Sequence, residues 1–222
     1  MAKKTTKKST KKPDISQKLI TAAFELALTT GWRSLGMKDI AIQAKVPLPD
    51  ALKIYASKDA LLDAVMDQVD QLALAEAKNF QDQDTVKDKL FALLMARFDA
   101  LSPNREAIAC IVRDTLCNPL RNPGMIMCRL PRILQSMALM LETVNIDSRG
   151  LMGLVKTKAL GLIFANALRV WLHDQTDDLG PTMSTLDKGL RQADRLAQIR
   201  PFHNPLCKSL RKSLRKPLCG AK

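Results

Sequence analysis

Apolar residues recur along the chain with a helical period, and turn residues divide its central part into about nine segments. In the first segment, 14–30, they return at i, i+4, i+7, i+8, i+11 and i+12, and Gly31 is a natural stop. Two short segments, 37–45 and 50–56, follow with a tight turn between them. No alternating strand pattern occurs, so the sequence predicts an all-α protein.

The later segments are longer. Ser57 is placed to cap a helix whose apolar stripe begins at Leu61. Further helices are expected from 84 or 85 to 101, from 102 onward, and at 125–144, 148–173 and 182–198. The longest apolar stretch, 159–172, is interrupted by Asn166 and Arg169, so we predict no membrane span.

The net charge of +13 over 222 residues is concentrated at the two ends. Residues 1–12 carry six lysines and residues 200–222 carry seven basic residues, and neither segment contains an acidic residue. Such tails bind polyanions, either nucleic acid or anionic lipid, or serve as solvated arms that aid solubility. No apolar segment follows the lysines, so no secretory signal is expected and a cytoplasmic protein is predicted.

The C-terminal segment 200–222 repeats Lys-Ser-Leu-Arg from Lys208. The repeat of four places leucines in a stripe opposite lysine and arginine, which is typical of a basic amphipathic helix. An anionic membrane surface is one partner that such a helix fits.

The sequence shows none of several common metal-binding or catalytic motifs. The five cysteines show no CxxC spacing, and His173 and His203 have no partner at ligand spacing. There is no GxSxG, glycine-rich phosphate loop or HExxH. We therefore expect no catalytic residue, no metal and no cofactor, and we predict that the protein is not an enzyme.

Three helices within 14–56, the last two short and joined at Val46–Pro49, are typical of a helix-turn-helix. In this motif the third helix enters the major groove of DNA and the second crosses the backbone. The Lys-rich arm, residues 3–12, directly precedes the first helix and can reach along the DNA.

Residues 15–65 resemble the N-terminal domain of TetR-family transcriptional regulators. The agreeing positions occur in order and without gaps: Ile20, Ala22, Ala23, Gly31, Met37, Asp39, Ile40, Ala41, Ala44, Val46, Tyr55, Ser57, Lys58, Leu61 and Leu62. The resemblance implies an all-α homodimer that binds DNA through its first three helices. The chain departs from the family pattern at Lys45, where glycine is usual, and at Pro47, where serine or threonine is usual.

Candidate DNA contacts follow from the predicted motif. Four lysines are expected to contact phosphates: Lys38, Lys45, Lys53 and Lys58. Four residues are expected to face base edges, with few hydrogen-bonding groups: Leu48, Asp50, Ala51 and Ile54.

The resemblance also implies an effector pocket and a dimer face. Apolar stripes suggest an apolar small-molecule site lined by Phe91, Met95, Phe98, Met127, Met137 and Phe164, although each equally fits ordinary core packing. The last two helices, 148–173 and 182–198, are expected to pack against their copies as a four-helix bundle.

A second resemblance lies near the C-terminus. Trp171, Asp174, Thr182-Met183 and Leu186-Asp187 resemble the C-terminal region of ubiquinone-biosynthesis accessory proteins, which share the TetR fold and bind isoprenoid lipids. That resemblance implies an alternative function, a lipid-binding protein held at the inner face of the membrane by residues 200–222.

Four regions are therefore predicted: a basic arm at 1–13, a DNA-binding unit at 14–60, a ligand and dimer domain at 61–199, and a basic tail at 200–222. The predicted function is that of a ligand-responsive repressor, with effector binding shifting the spacing of two DNA-binding units.

Overall fold

The computed structural model describes residues 12–116 and 123–198, with side chains at 14–115 and 129–197. The predicted Lys-rich arm, the basic tail and the side chain of Met127 lie outside the described residues. Statements about the structure refer to the described part.

The described residues form nine α-helices and no strand, which confirms the all-α prediction. The helices are α1 (Lys12–Thr29), α2 (Met37–Gln43), α3 (Leu48–Ile54), α4 (Lys58–Ala75), α5 (Val86–Leu101), α6 (Arg105–Leu116), α7 (Pro123–Thr143), α8 (Gly150–Trp171) and α9 (Gly180–Gln198). Gly31, the predicted stop, has a φ of 81°, which suits glycine. Ser57 caps α4 as predicted, accepting a hydrogen bond from the Ala60 N–H at 3.1 Å.

Helix α3 begins two residues earlier than the sequence predicted. It starts at Leu48 directly after Pro47, contains Pro49 in its first turn, and ends where Tyr55 becomes extended. Proline is tolerated in the first helical turn because the N–H that it lacks has no intrahelical partner there. The prediction placed both prolines outside the helix, whereas only Pro47 lies outside it.

The first three helices enclose their own apolar centre. Leu19 of α1, Trp32 in the following turn and Ile40 of α2 are each 0% exposed, as is Leu61 of α4. Helix α4 starts within this unit and runs on into the remaining helices, where Phe98, Trp171 and Leu186 form a second centre. Helix α6 packs against α1 and so also connects the two regions.

A buried ion pair joins three helices of the second region. Arg97 of α5 lies 2.8 Å from the carboxylate of Asp70 on α4, and the Ser136 hydroxyl of α7 donates to the same carboxylate at 2.7 Å. Burial lowers the pKa of Arg97, and the charge of Asp70 opposes that shift. Removing one member of such a pair strands a buried charge, so the pair fixes how α4, α5 and α7 dock.

Ion pairs continue along the contact between α4 and α7. Arg129 pairs with Asp59 and with Asp63, the latter at 2.6 Å, and Arg132 pairs with Asp67. The acidic residues of α4 recur every four positions and therefore lie on one face of the helix. This face is held against the basic residues of α7.

Candidate nucleic-acid interface

The turn between α2 and α3 is formed by the backbone. The Lys45 N–H donates to the Ile42 carbonyl at 3.0 Å, and the Val46 N–H donates to the Ala41 carbonyl at 2.9 Å. Lys45 has a φ of 55°, the left-handed conformation for which glycine is better suited. No side chain caps α3, because its N-cap residue is Pro47. The two short helices are thus joined as a helix-turn-helix requires.

The outward face of α3 follows from its helical period. Ala51 is 0% exposed and marks the inward direction. At 100° per residue, Pro49 and Lys53 point away from Ala51, with Leu52 and Asp50 on the two flanks. The exposures agree, since Pro49, Leu52 and Lys53 are exposed and Asp50 is partly exposed.

This geometry corrects the predicted base-facing residues. Ala51 is buried and cannot reach a base edge, and Leu48 and Ile54 are partly buried against the core of the three-helix unit. Only Asp50 of the predicted set lies on the outward half of α3. Sequence reasoning missed Pro49 because it placed the start of α3 two residues too late. It missed Leu52 because several residues of this short segment are apolar, and the spacing of Leu48, Ala51 and Ile54 by three was the signal for the inward face.

Three of the four predicted phosphate-contacting lysines lie at the surface. Lys38, Lys45 and Lys53 are exposed, on α2, in the turn and on α3 respectively. Lys53 forms an exposed ion pair with Asp50 at 3.0 Å, a contact of small energy that a phosphate can replace.

Lys58 has a different position, which corrects its prediction as a phosphate ligand. Its ammonium donates to the carbonyls of Trp32, Arg33 and Leu35 at 2.9, 3.1 and 2.7 Å. These bonds use the three donors of an ammonium group. Burial lowers the pKa of Lys58, while the charges of Asp59 and Asp114 raise it. Lys58 therefore fastens the turn after α1 to the start of α4.

Two side-chain contacts hold α1 against the short helices. The hydroxyls of Ser16 and Tyr55 lie 2.6 Å apart, and Gln43 donates to Glu25 at 3.0 Å. They join α1 to the ends of α3 and α2, so the unit presents α3 in a fixed direction.

The predicted effector residues lie mostly within the packed core. Phe98 and Phe164 stack with ring centroids 5.3 Å apart, and Phe98 also contacts Trp171 at 5.6 Å. Met137 is 0% exposed, and Met95 is partly buried against the same core. Phe91 lies instead beside a cleft of about 330 Å³ between α5 and α9.

A larger cleft of about 400 Å³ lies between α4 and α7. Polar and apolar surfaces both line it, and the residues are Asp67, Asp70, Gln71, Leu74, Arg132, Gln135, Ala138, Leu139 and Glu142. The cleft borders the ion pairs that join these helices.

Helix α8 exposes an apolar face. Leu151, Val155 and Leu162 are 81%, 54% and 73% exposed and share one side of the helix. By length and composition alone α8 is long enough and apolar enough to cross a membrane. Its other side packs against α7 and α9 and buries Phe164 and Trp171. Helix α8 is therefore part of the helical bundle.

The segment with the second resemblance forms the connection between α8 and α9. The Asp174 carboxylate accepts hydrogen bonds from the N–H and hydroxyl of Thr176, at 3.1 and 2.6 Å. It also accepts from the N–H and hydroxyl of Thr182, at 3.0 and 2.6 Å. Burial raises the pKa of Asp174, but these bonds outweigh it and lower the pKa to about 2. Asp174 and Thr182, two of the residues that carry the second resemblance, thus connect α8 to α9.

Among the described residues, no group of three or more histidine, cysteine or acidic side chains is arranged to hold a metal ion. The His173 ring lies 3.0 Å from the Arg169 carbonyl of its own helix.

No protein-family model and no curated protein sequence matches the chain. Solved structures do match. A TetR transcriptional regulator from Nitrosomonas europaea is 22% identical with a TM-score of 0.63, covering 82% of this chain and 98% of that chain. A TetR-family protein from Syntrophomonas wolfei is 12% identical with a TM-score of 0.59, covering 86% and 99%. A TetR transcriptional regulator from Rhodococcus sp. RHA1 is 17% identical with a TM-score of 0.53, covering 87% and 100%. At these identities the likeness establishes the fold, and the chain has the fold of TetR regulators.

Proposed function

We propose that this protein is a cytoplasmic DNA-binding transcriptional regulator, a repressor that acts as a homodimer and responds to a small molecule. One observation carries the proposal: in a fold shared with TetR regulators, the outward face of α3 is exposed and lysines surround it. A helix placed in this way fits the major groove of DNA.

Electrostatics supports DNA as the partner. Lys38 and Lys45 are exposed, and Lys53 is held only by a surface pair with Asp50. We propose that the Lys-rich arm at 3–12 adds further phosphate contacts.

The homodimer is supported by the exposed apolar face of α8. A contiguous apolar surface on a soluble domain commonly marks an interface. We propose that Leu151, Val155 and Leu162 pack against the same residues of a second copy, with α9 completing a four-helix bundle. This arrangement would also account for a helix that is apolar on both sides.

We place the effector in the cleft between α4 and α7. Six of its nine lining residues are polar or charged, so we expect the effector to carry polar groups, in contrast to the apolar effector that the sequence predicted. An apolar ligand among Phe98, Met137 and Phe164 would have to open a packed core. The cleft adjoins α4, which begins in the three-helix unit, so a ligand there acts directly on the position of that unit.

The lysine assignments can be tested by the salt dependence of DNA binding. Fluorescence anisotropy would follow the full chain binding to the DNA upstream of its own gene and to a shuffled duplex. We expect Lys53→Ala to lower the slope of log K against log salt by about one, because one phosphate contact is lost. Lys78→Ala is the matched control, since Lys78 is exposed beyond the far end of α4, roughly 30 Å along the helix.

Preference of about 1,000-fold or more for the upstream duplex would support a sequence-specific regulator. Equal weak binding to both duplexes would contradict the proposed function. An unchanged slope for Lys53→Ala would contradict only the lysine assignment.

The dimer can be tested by sedimentation. Leu162→Glu should convert the dimer to a monomer, because it places charges opposite each other in an apolar interface. Leu28→Glu, at a leucine 48% exposed on α1, should leave the dimer intact. A dimer that survives Leu162→Glu would rule out this face of α8.

A further inference from the structure

We propose that α3 reads DNA through methyl groups, with Leu52 and Pro49 contacting the C5-methyl groups of thymines in the major groove. The inference rests on the proposed function and names the class of DNA sequence that it takes: half-sites with thymine at the contacted positions.

The first argument is the chemistry of the outward face of α3. Four residues lie on it, and two of them, Pro49 and Leu52, carry no hydrogen-bonding side chain. The other two, Asp50 and Lys53, bond to each other at 3.0 Å. The outward face of α3 therefore presents two apolar side chains beside one exposed ion pair.

The second argument is what each base pair offers in the major groove. Guanine, cytosine and adenine present hydrogen-bond donors or acceptors, whereas thymine adds a methyl group. A leucine or proline side chain against a donor or acceptor leaves that group without a partner, which is unfavourable. Against the thymine methyl, the same side chain buries apolar surface on both partners. The thymine methyl is thus the one major-groove group that this face complements.

The third argument is that the surroundings favour DNA over an apolar protein partner. Lys38 and Lys45 are exposed on the elements that precede α3, and Lys53 is exposed on α3 itself. An apolar patch bordered by cations complements a groove with methyl groups on its floor and phosphates along its edges.

The experiment removes the methyl groups and nothing else. Duplexes selected from a random library by the full-length protein are synthesised with thymine and again with uracil, which keeps every hydrogen-bonding group of thymine. We expect the uracil duplex to bind about fourfold more weakly for each contacted methyl, and about 16-fold for one methyl in each half-site of a dimer.

Leu52→Ala tests whether Leu52 makes the methyl contact. It should weaken binding to the thymine duplex and lower the thymine-to-uracil affinity ratio to the part that Pro49 contributes, because the lost methyl and the lost side chain belong to the same contact. Leu28→Ala is the matched control, since Leu28 is 48% exposed on α1 and Leu52 is 43% exposed on α3. The control should keep the full ratio. Both positions are exposed, so circular dichroism and melting should show that both variants fold.

The outcomes separate this inference from the proposed function. Tight binding to a selected duplex with a thymine-to-uracil ratio near one overturns methyl readout and leaves the regulator intact. A ratio that Leu52→Ala does not change overturns the role of Leu52. Failure of the library to yield any preferred duplex overturns the proposed function itself, and methyl readout with it.

Discussion

Two connections between consecutive helices in this molecule are stabilised by different kinds of hydrogen bond. The connection between α8 and α9 is organised by one buried carboxylate, Asp174, which accepts four hydrogen bonds from two threonines. The turn between α2 and α3 has only backbone hydrogen bonds, a left-handed lysine and a proline in place of a capping side chain. The stable hairpin thus lies in the region proposed for dimerisation, and the weakly stabilised turn lies in the unit proposed to bind DNA. The direction of α3 therefore depends on contacts outside the turn, such as the one between the hydroxyls of Ser16 on α1 and Tyr55.

Asp174→Ala is the substitution with the largest expected effect on stability. The substitution leaves the N–H and hydroxyl of Thr182, a residue 0% exposed, without an acceptor. We expect the free energy of unfolding to fall by about 3 kcal/mol. Urea denaturation gives this value. Asp174→Asn keeps one acceptor oxygen and should lose less. A loss below about 0.5 kcal/mol for Asp174→Ala would show that the carboxylate does not hold the hairpin.

A second test uses acid. Hydrogen bonds lower the pKa of Asp174 from 3.8 to about 2, so the folded state holds the carboxylate ionised where the unfolded chain is protonated. Its contribution to stability is complete above pH 4 and is lost as the pH falls toward 2. We expect the wild type to lose more stability than Asp174→Asn between pH 5 and 2. Parallel pH profiles of the two proteins would contradict this assignment.

The smallest expected effect is at the other connection. Lys45→Gly relieves a φ of 55° and should raise the free energy of unfolding by about 1 kcal/mol. It also removes a proposed phosphate contact, so the salt slope of DNA binding should fall by about one. Lys53→Ala should lower the slope without raising stability. If Lys45→Gly is destabilising, the turn is not strained at this residue.

The sequence predicted the helices well and the site only partly. Helical periodicity, Gly31 and Ser57 located the elements, because apolar spacing and caps are local properties. The start of α3 was wrong by two residues because two prolines look like a loop when they stand at a first helical turn. Ala51 was predicted to face DNA because its burial depends on packing against the other helices, which the pattern of this short segment does not specify. The role of Lys58 depends on carbonyls more than 20 residues away, which local spacing does not specify.

The burial of Trp32 and Trp171 makes the protein its own fluorescent reporter. The chain has two tryptophans, and each is 0% exposed, one in the three-helix unit and one in the second region. Each lies near a cation: the Lys58 ammonium is 5.7 Å from the ring centre of Trp32, and the Arg105 guanidinium is 5.1 Å from that of Trp171. Trp32→Phe and Trp171→Phe would each leave one indole, so emission would follow the opening of the two regions separately. A chain with one tryptophan, or with both in one region, would report on that region alone.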